Sequence, residues 1–189
     1  MKRKYTVGAG EHVTAVRGEH VVAANRSEVT ATRGSNVIAG WGSKVIALNG
    51  SKVVACKGSH VIARQGSFVK ALEGSTVIAE QGSTVIAHAF AEVTAKAGSQ
   101  VTIRARARVC IEKGASITAE CLSNVTAPDG AHVIAKPGSS VRAQFGSHVY
   151  AEERSNVVAE PGSHVTAEGG ALLIISRGAH VVYKMAESA

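Results

Sequence analysis

Aspartate is almost missing from this chain. Its one representative, Asp129, sits in a Pro-Asp-Gly turn, and that scarcity argues against calcium-bound nonapeptide rolls, whose motif needs a recurring Asp. It also weakens any catalytic reading. The glutamates stand mainly at repeating places rather than converging on a cleft, so no nucleophile, base and orienting acid can be proposed together. The sequence predicts a protein that is not an enzyme and that carries no cofactor.

Aromatics are scarce too, at 4% of 189 residues, although apolar residues reach 45%. The apolar share is mostly Val, Ala and Ile, which predicts a thin core of small side chains. Three cysteines, Cys56, Cys110 and Cys121, have neither an even number nor paired spacing. That excludes a disulfide framework and a zinc-finger pattern, and fits a reducing compartment. No apolar run approaches the roughly 20 residues of a membrane span. The basic start Met1-Lys2-Arg3-Lys4 is interrupted by Glu11 and His12 before any apolar segment of signal-peptide length. The expectation is a cytoplasmic protein, with delivery by another route left open.

The net charge of +7 permits attraction to nucleic acid or anionic lipid. Nucleic acid is not expected, because the basic residues are interleaved with Glu and few aromatics could stack on bases. Ice binding needs an unbroken outward hydroxyl array. Thr94, Thr102, Thr118 and Thr126 begin one, but Lys70, Arg142 and Tyr150 interrupt the same place.

What is present is a repeat. From Gly10 onward an eight-residue unit runs without insertion: Gly, Ser, variable, Val, variable, Ala, variable, variable, as in Gly74-Ser75-Thr76-Val77-Ile78-Ala79-Glu80-Gln81. Side chains alternate across a strand, so places two, four and six point inward and places three and five outward. Glycine at place one supplies the backbone freedom of a tight corner. Each octad is therefore one short strand and one corner.

A coil could hold two octads or three, and the exceptions decide for two. Arg26, Phe90, Arg106, Leu122 and Arg154 replace glycine at place one, and all differ by multiples of sixteen. Charges at place seven agree: Arg64, Glu80, Lys96, Glu112 and Arg104, Glu120, Lys136, Glu152 alternate in sign at the same step. The predicted fold is all-β: a single flattened two-sheet β-solenoid, or β-helix, with parallel ladders and about eleven coils. The whole chain, 1–189, is one domain, with a cap-like first turn and coil (1–25), regular coils (26–169) and an apolar last coil and tail (170–189).

The octads resemble those of a loose group of bacterial and phage Gly/Ser-x-Val-x-Ala repeat proteins, through residues such as Gly74 to Ala79 and over nearly the whole chain. At the level of architecture the chain is also similar to bactofilins, polymer-forming cytoskeletal proteins whose solenoids join end to end. The resemblance implies a structural solenoid that assembles with copies of itself.

Three surfaces are candidates for function. Glu11 and Glu19 occupy place two of the first coil, suggesting an N-terminal end that meets water, whereas Leu172, Leu173, Ile174, Ile175, Val182 and Tyr183 make the last coil strongly apolar. Strand edges with apolar side chains invite pairing, so self-association is expected there. A homo-oligomer follows, a dimer preferred and an end-to-end polymer the alternative. The rival reading is a binding module. Arg104, Arg106, Arg108 and Lys113 form the most basic stretch and a candidate anion site, where Ile103 and Ile111 replace core Ala and widen the coil. His132, His148, His164 and His180 recur at sixteen-residue steps, predicting an outward ladder that could share a soft metal or form a pH-sensitive stripe. Against a metal, no carboxylate or thiol completes a tetrahedral set.

Overall fold

The computed structural model describes residues 4–184. They form twenty-three short strands, numbered in chain order from β1 (Lys4–Val7) to β23 (His180–Lys184), and no helix. Except between β14 (Arg108–Ile111) and β16 (Asn124–Ala127), strands two positions apart pair in parallel at a step of sixteen residues: Val77 lies beside Val93 and Val85 beside Val101. The odd strands make one continuous 12-stranded sheet and the even strands lie on the other face. Two octads per coil, in about eleven coils, is the architecture.

The inward places are filled as the alternation predicts. Val77 and Ala79, like the Val and Ala of the regular coils, are fully buried. Each such Val contributes about 1.5–3 kcal/mol before chain entropy is subtracted, so the stack holds through many coils acting together. The buried Ser at place two is paired locally. Ser75 Oγ donates to the Leu72 carbonyl at 2.6 Å, and the Ser75 N–H donates to the same oxygen at 3.1 Å. A hydroxyl is thus tolerated inside because it locks the preceding corner.

At the corners every described place-one residue has positive φ, including Arg26, Phe90, Arg106, Leu122 and Arg154 at 59–61°. All five lie on the same corner, the one leading from odd to even strands. Glycine there also makes room. A β-carbon on Gly58 would stand 2.5 Å from Trp41 Cδ1, and one on Gly162 would stand 2.3 Å from Phe145 Cδ2. The place-eight side chain of one coil therefore lies over place one of the next, seventeen residues on.

One expectation needs correction. The even face is not a single sheet but a 7-stranded and a 4-stranded one, divided between β14 (Arg108–Ile111) and β16 (Asn124–Ala127). The break falls where the repeat loosens. Ile103, buried in the same coil, and Ile111 take places that Ala fills elsewhere, and Ile111 and Val109 are left half-buried. Pro128 completes the break. On either side the place-seven N–H bridges coils, from Glu112 to the Ala95 carbonyl at 2.8 Å and from Gln144 to Ala127 at 3.0 Å, but proline has no N–H to give Ile111.

Candidate functional site

The two ends of the rod differ in kind. At interior coils the place-seven N–H donates to a carbonyl of the coil before, as Ala24 N–H does to Val7 O at 3.1 Å. Gly8 and Val16 lie in the first turns and have no described coil before them. Glu11 and Glu19 serve them instead: Gly8 N–H donates to Glu11 Oε2 at 2.6 Å and Val16 N–H to Glu19 Oε2 at 2.9 Å. The Tyr5 hydroxyl adds a 3.1 Å bond to the same Glu19 oxygen. Burial first, and then Glu19, push the Tyr5 hydroxyl pKa up. The two carboxylates thus do more than meet water. They turn back to satisfy edge donors that would otherwise be free to pair with another chain.

The last described coil has no such device. Leu172 is 66% exposed, Ile174 64%, Ile175 46%, Val182 63% and Tyr183 60%. Leu172 and Ile174, on β22 (Leu172–Ile175), face outward from the side of the rod. Leu173, Ile175 and Tyr183 stand at core places of the last described coil, where Leu173 is half-buried and Ile175 and Tyr183 are exposed. The tail from Met185 onward lies outside the described residues, as do Lys2 and Arg3 of the first turn.

The basic stretch is not gathered into one site. Arg104 pairs with Glu120 at 3.1 Å, Arg108 with Glu92 at 3.7 Å and Lys113 with Asp129 at 2.7 Å. Arg104 and Arg106 stand near one corner, Arg108 on the even face and Lys113 at the opposite corner. Acids on neighbouring coils thus neutralise three of the four cations. The place-seven ladders do form contacts, Arg64 and Lys96 flanking Glu80 at 3.7 and 3.9 Å. A row at place three also pairs, with His12 and Lys44 either side of Glu28 at 3.0 and 3.4 Å. Such exposed pairs contribute about 0.2–1 kcal/mol each.

The histidine ladder is as regular as its spacing. His132, His148, His164 and His180 are exposed, with ring centroids 5.1, 4.9 and 5.1 Å apart; the first two pairs are stacked and the third is tilted by 33°. His132, His148 and His164 border a shallow trough of about 470 Å³ on the odd face, shared with Thr118, Tyr150 and Thr166. A line of this spacing offers one ion two neighbouring imidazoles at most. Among the described residues no group of three or more His, Cys, Asp or Glu is placed to hold a metal. Tyr150, itself part of the trough, donates to Glu168 Oε1 at 2.5 Å. That bond, with a backbone donor from Glu153, holds the Glu168 carboxyl below its usual range and pushes the Tyr150 phenol up.

Two features escaped the sequence reading. The Glu11 and Glu19 caps carried a signal, a charged residue at a place that is Ser or Ala in later octads, but their hydrogen bonds were not foreseen. The link across seventeen residues also left a trace. Four of the five residues replacing glycine follow a small residue or proline seventeen places earlier: Ala9, Ala89, Ala105 and Pro137.

The class these observations define is the parallel β-solenoid with sixteen-residue turns. No protein-family model matches the chain, and no curated protein matches it in sequence. Among solved structures it is similar to the TibC-catalysed hyper-glycosylated fragment of TibA, at a TM-score of 0.50 and 16% identity over 96% of this chain and 85% of that one. At that identity the likeness is one of fold. Among the described residues no helix is long and apolar enough to cross a membrane.

Proposed function

We propose that this chain is a non-catalytic structural module that associates with a second copy of itself through its last coil. The observation that carries the reading is the inequality of the ends: edge donors of the first coil are held by Glu11 and Glu19, while Ile175, Val182 and Tyr183 stand open at the other. A head-to-tail polymer would have to displace both carboxylates from their backbone donors. Two apolar ends meeting about a two-fold axis displace no such hydrogen bond among the described residues, and a closed dimer results.

Sedimentation equilibrium tests this on the intact protein and on a variant carrying Leu172→Lys and Ile174→Lys. Twice the chain mass of 19.4 kDa for the first and a single mass for the second are expected. A single chain in both would overturn the reading.

A further inference from the structure

We infer that the trough beside the histidine ladder is a site for a linear acidic polysaccharide lying along the rod axis. Four imidazoles in register, on strands β17 (His132–Ala135), β19 (His148–Ala151), β21 (His164–Glu168) and β23, repeat at one coil. The repeat of about 4.8 Å between strands is close to the length of a sugar ring, so successive acid groups of a polyuronate can meet successive rings.

The stacking selects the ligand. The faces of His132, His148 and His164 are stacked on one another at 4.9–5.1 Å, which leaves ring edges, with their polar nitrogens, to meet a ligand. A base would need an aromatic face to stack on; an oxyanion needs a donor. Hydroxyls of Thr118 and Thr166 in the same trough can bond the sugar hydroxyls. The charged groups around the ladder engage one another rather than its imidazoles. On the same strands Lys136 is engaged with Glu152, and Glu168 is held by Tyr150, with Lys184 at the end of β23. The corners before these strands carry Asp129, Glu160 and Arg177; Asp129 is engaged with Lys113 and Glu160 with Arg142. Among the described residues, the carboxylate contacts of histidine are confined to His12 on the other face.

The test is binding of fluorescent polygalacturonate to the whole protein. The expected result is saturable binding that is weakened by added salt. It should be lost in a variant with His148→Gln and His164→Gln, since Gln100 already occupies the same place on this face. A control with His12→Gln and His60→Gln on the even face should bind as the intact protein does. Unmodified dextran should not bind. Binding retained in the His148 and His164 variant, or no binding by the intact protein, would overturn the proposal. Equal, ladder-dependent binding of single-stranded DNA would overturn the assignment to polysaccharide. Circular dichroism of each variant separates lost binding from lost fold.

Discussion

Trp41 lies over Gly58, one coil on, with Cδ1 2.5 Å from where a β-carbon on that glycine would stand. The glycine thus meets two demands, a φ of 73° and a seat for the indole. Gly114 meets only the first, because its neighbour Ala97 is 3.7 Å away. Gly114→Ala should cost about 1–2 kcal/mol for the left-handed backbone. Gly58→Ala should cost more, and Trp41→Ala should recover the excess. A double-mutant cycle in urea measures this coupling; no coupling would deny the contact.

Leu122 is the converse case. It holds φ at 60° while its side chain is 71% exposed, so it bears strain and gains little burial. Leu122→Gly should raise stability by up to about 1 kcal/mol, the relief of a left-handed residue less the entropy of a new glycine. Thermal unfolding would reveal it.

Removing the carboxylates at the first coil should fray one end and spare the rest. Glu11→Ala with Glu19→Ala leaves the Gly8 and Val16 donors without those partners. Hydrogen exchange should quicken in the first two turns, for a local loss of about 1–3 kcal/mol, with no change around Val77. Uniform loss of protection would contradict a local cap.

Acid should act on the Tyr150–Glu168 pair in a set direction. The hydrogen bond from Tyr150 lowers the Glu168 pKa in the folded state. The stability it lends is therefore present above the unfolded carboxylate value, and is lost as pH falls through the lowered folded one. Tyr150, raised by the same bond, contributes below its unfolded value and loses that contribution in alkali. Tyr150→Phe should move the Glu168 titration upward, as carboxyl NMR would record. An unmoved Glu168 would deny the bond.

His88 works the same way for another reason. Burial first, then Arg104 and Lys70, lower its pKa, and its Nε2 lies buried without a partner. The neutral ring is favoured in the fold, so stability should fall as pH drops below the usual imidazole range. His88→Leu, matching Leu72 one coil earlier, should flatten that acid limb in urea unfolding.

The coil was legible because a period of two in side-chain direction and of sixteen in the glycine exceptions are both written in residue identity. Ser75, Val77 and Ala79 could be placed inward from spacing alone. The break at Pro128 was less legible, since it depends on which coil each N–H serves, and Ile103 and Ile111 only hinted that the packing would shift. Arg104, Arg108 and Lys113 looked like one patch in the linear sequence. Sixteen-residue stacking instead gave each an acid on a neighbouring coil. For Glu11 and Glu19 the sequence revealed the anomaly but not the unserved donors that explain it.

The most direct test of joining through the last coil is a spin-label distance. With Cys56, Cys110 and Cys121 replaced, one label is placed at Arg177 in the last coil or at Thr6 in the first, and distances between chains are read by pulsed resonance. The account predicts a defined short distance for Arg177 labels and none of that kind for Thr6. Short distances only in a mixture of the two labelled proteins, or in neither sample, would contradict it.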